Sequence, residues 1–151
     1  MIMKTLFSKQ ALDKSIDRIN QLQADSQATW GKMNVSQMLD HCSETMKVAR
    51  GEKELKRLFL SYVMGSLMKK SFYNDNPIPK NSPTHKTFII TTASDFEKAK
   101  KELIDHLTAF QEGGMEKCTD APHSFFGKLT KEQWGLGMYK HLDHHLKQFG
   151  V

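Results

Sequence analysis

The chain has 151 residues, of which 38% are hydrophobic and 26% charged, and its formal net charge is +5. This length fits one domain with a single core, so we expect residues 1–151 to form one unit. The basic residues are dispersed and not interleaved with aromatic side chains, which favours a role in solubility over nucleic-acid binding. The two cysteines lack CxxC spacing, and the Met1–Phe7 run is too short for a signal peptide. No apolar run reaches the length of about 18 residues that is needed to cross a bilayer. We therefore expect a cytoplasmic protein.

The first predicted helix runs from Lys9 to about Gln23. Ser8 is suited to cap it, and apolar side chains recur at helical spacing from Leu12 to Leu22. Residues 25–32, which end in Trp30-Gly31-Lys32, are predicted to be a loop.

The second predicted helix opens at Asn34, which forms a capping-box pattern with Gln37, and it closes at Arg50-Gly51. A third segment, Leu55–Phe72, is apolar with a basic rim and is predicted to be helical, with Gly65 as a weak point. The proline-rich residues 74–83 are predicted to be a connector.

Two further helices follow a stretch, Phe88–Thr92, that is extended by propensity but too short to make a sheet. A Ser94/Glu97 capping box predicts a helix to about Gln111, and a Thr130/Gln133 capping box predicts a last helix that stops at Gly150. The pattern therefore predicts an all-α fold, a bundle of four longer helices with Leu55–Phe72 as an additional helical segment.

The last helix carries two histidines on its apolar face. On a helical wheel, His141 and His145 fall with three apolar residues in one sector of about 80°. An i, i+4 pair lies on one face, about 5–6 Å apart, so both imidazoles can reach one ion. Since the chain has seven histidines, spacing alone is weak evidence, and the position on the core face carries the prediction.

A metal site needs at least one more ligand. The best candidate is His41, which flanks the apolar stripe of the second helix. His106 and His123 are reserves, while His144 falls at the edge of the apolar face. Three histidines with one open position would suit a catalytic ion, because a bound water or substrate can then be activated.

The alternative interpretation of these histidines is structural: each is a hydrogen-bonded core residue. It is favoured for His106 and His123 and disfavoured for the pair on the last helix. Asp40, Glu44 and Asp143 are interpreted as solvated helix positions, although one of them could orient an imidazole. Cys42 is interpreted as a small buried hydrophobe, and the nine methionines as core filling or as the wall of an adaptable pocket.

Two stretches resemble the DinB/YfiT-like superfamily. They are WGKMNVSQMLDHC at residues 30–42, and residues 125–150, which begin FFGKLT and end KHLDHHLKQFG. They are most similar to a branch of small bacterial proteins with this ending. The resemblance implies a four-helix bundle, often dimeric, in which a histidine of the second helix and an HxxxH pair of the last helix bind a divalent ion. Those positions correspond here to His41, His141 and His145.

The resemblance also implies a chemistry. Members of known activity are metal-dependent thiol transferases or isomerases, so we expect a thiol-dependent S-transferase or a hydrolase acting on a small electrophile. The expected cofactor is a divalent metal ion, zinc or nickel first, with iron or copper also suited to imidazoles. The expected partners are a small-molecule substrate such as a low-molecular-weight thiol and a second copy in a homodimer, with neither nucleic acid nor membrane.

Two other functions compete with this one. In the first, the bundle binds a small molecule or a protein without catalysis, and the metal is structural, with His106 or His123 as a fourth ligand. In the second and weaker one, the basic segment Lys53–Lys70 binds a membrane surface or nucleic acid. Against it, the apolar side of that segment is equally suited to be part of the core.

Overall fold

The computed structural model describes residues 4–151, so Met1–Met3 of the apolar Met1–Phe7 run lie outside the described residues. The fold is all-α, as predicted. Within residues 4–151 there is no β-strand, only an isolated antiparallel bridge between His123 and Gly127. The five helices are α1 (Lys9–Gln21), α2 (Val35–Ala49), α3 (Ser61–Tyr73), α4 (Phe96–Gly113) and α5 (Lys131–Gln148), and a 3₁₀ turn spans Lys86–Phe88.

The predicted N-terminal caps of α1, α2 and α5 are confirmed. The Ser8 hydroxyl accepts from the amide of Ala11, and full capping boxes join Asn34 to Gln37 and Thr130 to Gln133. These side chains satisfy amides that have no partner inside the helix. The starts of α1, α2 and α5 are therefore fixed by local sequence. The end of α1 is not, because Leu22 is already extended and the helix stops at Gln21 instead of Gln23.

The predicted cap of α4 is wrong by one residue. Asp95, and not Ser94, is the N-cap, and its carboxylate accepts from the amides of Glu97 and Lys98. The Ser94 amide instead donates to the carboxylate of Asp40 on α2, at 2.7 Å. A tertiary contact with α2 thus uses the residue that the local pattern selected as a cap.

The third segment is only partly helical, which corrects the prediction of a helix over Leu55–Phe72. Residues 55–60 are not in an α-helix, and α3 begins at Ser61, whose hydroxyl donates to the Leu58 carbonyl at 2.6 Å. Gly65, predicted as a weak point, is a contact point: a Cβ there would overlap the carbonyl oxygen of Phe125. Because only glycine leaves that space, α3 lies close against the loop before α5.

The stretch before α4 lies along the surface of α2. The stretch predicted to be extended is Phe88–Thr92. Its first residue, Phe88, is instead the last residue of the 3₁₀ turn and is buried. The side-chain amide of Gln37 donates to the Ile90 carbonyl at 3.0 Å. This contact and the Ser94–Asp40 bond hold the stretch along one face of α2, which brings the Phe88 carbonyl over that helix.

Four helices enclose the core. α2 packs against α4 and α5, α1 also packs against α4 and α5, and α3 contacts α5 alone among the elements of residues 4–151. None of the described helices is long and apolar enough to cross a bilayer. The completely buried large side chains of this core are Leu6, Ile19, Met38, Leu39, Met46, Leu103, Leu107, Trp134 and Leu146.

Candidate metal centre

Three histidines from two helices converge at the interface of α2 and α5. His41 lies on α2, and His141 and His145 lie one turn apart on α5. Their ligand atoms all lie within 4.8 Å of one another, and both α5 ring centroids lie within 5.0 Å of the His41 ring. The geometry thus brings together the three residues that the sequence selected.

The hydrogen bond of His41 determines its tautomer. Its Nδ1 lies 2.9 Å from the carbonyl oxygen of Phe88. A carbonyl can only accept, so the proton of the neutral ring is on Nδ1. The Nε2 atom therefore presents a lone pair, the form required of a metal ligand.

His145 has the same arrangement through a side chain. Its Nδ1 lies 2.8 Å from Oε1 of Gln148, and Nε2 of Gln148 donates to the Trp30 carbonyl at 2.7 Å. The second bond orients the amide, because its nitrogen must face a carbonyl that only accepts. Gln148 Oε1 is then an acceptor, His145 donates from Nδ1, and its Nε2 is left with a lone pair.

His141 faces His41 directly. The two Nε2 atoms are 3.1 Å apart. Since His41 Nε2 carries no proton, this contact is a hydrogen bond in the metal-free chain when His141 is protonated at Nε2. Two imidazole nitrogens on one tetrahedral ion at ~2.0–2.1 Å are about 3.3 Å apart, so the observed separation fits a shared ion after little movement.

The surroundings keep all three rings neutral. His41 is 3% exposed and His145 7% exposed, while His141 is partly exposed. Burial lowers the pKa of His41, and burial followed by the neighbouring imidazoles lowers the pKa of His141 well below its ordinary value. Burial lowers the pKa of His145 to about 3. Neutral imidazole is the form that ligates a metal.

The loop of residues 25–32 fixes the end of α5 at this site. The amide and the hydroxyl of Thr29 both donate to the Gln148 carbonyl, at 2.8 and 3.1 Å. Gly31 has a φ of 82°, and a Cβ there would collide with the side-chain nitrogen of Gln148. Glycine at this position therefore lets Gln148 reach the Trp30 carbonyl.

The reserve histidines lie away from this cluster. His106 faces Arg50, with its Nδ1 2.7 Å from the guanidinium, and His123 lies among Phe72, Phe126 and Trp134. His144 is half-buried beside Trp30, with ring centroids 5.6 Å apart, and is not among the three converging residues.

The carboxylates named by the sequence have other partners. Asp143 pairs with Arg18 and Lys147, and Glu44 pairs with Lys47 and Lys53. Asp40 accepts from the Ser94 amide, as described above. The imidazoles are oriented instead by a backbone carbonyl and an amide side chain, neither of which adds charge to the site.

Cys42 is buried on the core side of the site, as predicted. Burial raises the pKa of its thiol far above the ordinary range, so the group is protonated and inert at neutral pH. It lies with Met46, Met138 and Leu142 in the apolar region next to His141, which has no room for a water molecule. A substrate would have to approach from another side.

Sequence reasoning missed the groups that orient the ligands. Gln148 lies three residues after His145, on the same side of α5, and that spacing was the available signal. No sequence signal identifies the carbonyls of Phe88 and Trp30, because every residue has a carbonyl. Only the path of the folded chain places these two at the site.

A family model described as a protein of unknown function, DUF1569, matches residues 1–150, so the chain belongs to that family. No curated protein matches it. No solved structure matches it either.

Proposed function

We propose that this DUF1569 family member binds one divalent metal ion through His41, His141 and His145. The observation that carries the proposal is the pair of hydrogen bonds that place protons on Nδ1 of His41 and His145, so that both Nε2 atoms are unprotonated in a cluster whose ligand atoms lie within 4.8 Å of one another. An all-imidazole set suits zinc, nickel, iron and copper, of which we propose zinc or nickel first.

We also propose that the fold is a DinB-like four-helix bundle with α3 as an addition. Two features support this kinship: α1 and α2 each pack on both α4 and α5, and the histidines come from the second helix and from an HxxxH pair on the last one. The homodimer implied by the same resemblance is part of this proposal.

For the activity, we propose metal-dependent transfer of a low-molecular-weight thiol, or hydrolysis, acting on a small electrophile. Three protein ligands leave a position open, and a divalent ion there lowers the pKa of a bound thiol or water. The chain's own contribution is to orient the neutral imidazoles of His41 and His145 through Phe88 and Gln148 and to exclude water on the Cys42 side.

One observation favours a second candidate, a non-catalytic bundle with a structural metal that binds a small molecule or a protein. The apolar region beside His141 is closely packed and does not form a substrate-sized pocket. In that case the fourth position would be filled by a fixed ligand, and the ion would join α2 to α5.

Elemental analysis of purified protein tests the metal site. We expect about one equivalent of metal in the wild type, retention in His106→Ala, and loss in His41→Ala and His145→Ala. His106→Ala is the matched control, because it removes an imidazole from outside the cluster. Unchanged metal content in both cluster variants would reject the site.

Cobalt-substituted protein separates the two candidate functions. If the open position takes a thiol, adding a low-molecular-weight thiol should produce a sulfur-to-cobalt charge-transfer band, and His106→Ala should behave like the wild type. A spectrum that thiols leave unchanged, together with the absence of an exchangeable water, would reject thiol transfer and support the structural role.

A further inference from the structure

Residues 58–68 present an unusual apolar surface. Phe59 is 92% exposed and Leu67 is 76% exposed. Monomeric proteins seldom leave contiguous large apolar side chains in water, and such a patch usually marks an interaction site. The exposed side chains that we call the α3 apolar face are Leu58, Phe59, Leu60, Tyr62, Val63, Met64, Leu67 and Met68.

α3 differs from a helix that packs its large apolar residues against a core. Its buried positions are small, Ser61 and Gly65, while the large apolar residues from Tyr62 to Met68 are exposed and Phe72, near its end, packs against Trp134. Val63, Leu67 and Lys70 follow one another at spacings of four and three residues, on one exposed side. Close contact of Gly65 with the Phe125 carbonyl fixes this orientation, because a larger residue would not fit.

The charged residues of this segment have one sign. No aspartate or glutamate occurs from residue 55 to residue 74, whereas Lys56, Lys69 and Lys70 do. None of these three lysines is ion-paired within residues 4–151. Arg57 is engaged locally, since its guanidinium lies 4.0 Å from the Tyr62 ring centroid and donates to the Ser61 carbonyl.

We propose that the α3 apolar face docks peripherally on an anionic phospholipid surface. Aromatic and aliphatic side chains flanked by lysines match the interface of such a bilayer: the apolar groups enter the boundary of the acyl chains and the ammonium groups meet the lipid phosphates. Lysine stems can lie along the apolar surface while their charges stay in water. The face is formed by residues outside the histidine cluster, so docking does not use the metal ligands.

Two other occupants fit less well. In an isologous contact between two copies, each face would meet its own surface. That contact would bring the unpaired lysines of both copies together, and their like charges would repel. A nucleic acid would use the lysines but would leave Phe59 and Leu67 in water, because recognition of its backbone is electrostatic.

Vesicle co-sedimentation of the full chain tests the proposal. We expect binding to phosphatidylcholine vesicles that contain phosphatidylglycerol, weak binding to phosphatidylcholine alone, and a decrease with added salt. Phe59→Ser with Leu67→Ser, and separately Lys56→Glu with Lys70→Glu, should each weaken binding about tenfold or more. Lys98→Glu with Lys101→Glu on α4 is the charge-matched control and should change binding little, since those lysines lie on another helix.

A reporter variant covers the case in which the double variants fold poorly. Phe59→Trp places an indole at the most exposed position of the α3 apolar face, and its emission should shift to the blue when anionic vesicles are added. Absence of this shift, equal binding to neutral vesicles, or equal loss in the α4 control would overturn the proposal. So would a chain that is dimeric through this face, with no vesicle binding, and becomes monomeric in Phe59→Ser with Leu67→Ser.

Discussion

The buried histidines occur in two settings with opposite hydrogen-bond polarity. In the cluster, Nδ1 of His41 and of His145 each face an oxygen acceptor. His123 has the reverse arrangement, because its Nδ1 accepts from the amides of Phe125 and Phe126 at 3.0 and 3.2 Å.

This difference determines which nitrogen can bind a metal. An amide can only donate, so the neutral His123 ring carries its proton on Nε2 and has no free lone pair. His41 and His145 carry the proton on Nδ1, so their Nε2 atoms have the lone pair. Burial lowers the imidazole pKa in both places, so the partner of Nδ1 distinguishes a candidate ligand from a packing residue.

The largest expected effect is the loss of metal-dependent stability. Adding zinc in excess should raise the unfolding free energy of the wild type by about 3 kcal/mol at a hundredfold excess over Kd. His141→Ala should abolish this gain, and His123→Asn should keep it. Thermal unfolding with zinc and with chelator measures both. An equal loss in His123→Asn would remove the distinction between the two settings.

The second expected effect is acid destabilisation through His123. Burial lowers its pKa to about 4, from 6.5 in the unfolded chain, so the unfolded state takes up the proton first as the pH falls. The contribution to stability is intact above about pH 7 and decreases between 6.5 and 4, by about 3 kcal/mol in total.

Urea unfolding at several pH values, in chelator, measures this effect. His123→Asn keeps an acceptor for the two amides but cannot titrate, so its stability should fall less steeply over that pH range. The cluster histidines contribute equally to both proteins and cancel in the difference. Parallel pH profiles for the wild type and His123→Asn would contradict the assignment of a neutral, buried His123.

The third expected effect concerns the side chain that sets the tautomer of His145. Gln148→Leu removes both the acceptor for Nδ1 and the link to the Trp30 carbonyl. Loss of such an orienting partner weakens metal affinity about 10- to 100-fold. Competition with a chromophoric chelator measures this. Gln111→Leu is the control, because the side-chain amide of Gln111 donates to the Phe7 carbonyl and not to a group of the site, and an equal loss there would point to a general effect on the fold.

The smallest expected effect is at His106, which also accepts at Nδ1, from Arg50, but is partly exposed. His106→Asn should cost about 1 kcal/mol or less and leave metal affinity unchanged, because a hydrogen bond near solvent contributes little. Chemical denaturation and metal titration test this together. A marked loss of metal affinity would mean that acceptor-type histidines also influence the site.

Much of the fold could be predicted because its signals are local. The caps at Ser8, Asn34 and Thr130 satisfy amides within one turn of the chain, so the residues alone specify where those helices begin. The α4 cap could not be predicted in the same way. Two adjacent residues were suitable, and the contact between Ser94 and Asp40 on another helix decided between them.

The segment from Leu55 onward was harder for a related reason. Its apolar residues suit a core and an exposed binding face equally well, and the sequence does not state which side of α3 meets α5. The fit of Gly65 against Phe125 decides it, and this leaves Phe59 and Leu67 outside.

The sequence by itself determined the all-α class, the positions of most helix starts, and the three histidines, because period, caps and residue type are properties of short stretches. Only the tertiary structure decided that His41 meets His141 at 3.1 Å, and that Phe88 and Gln148 orient the rings around that point. The physical reason is that a tautomer depends on the partner of a ring nitrogen. That partner lies 47 residues away for His41, at a distance along the chain that no local pattern encodes.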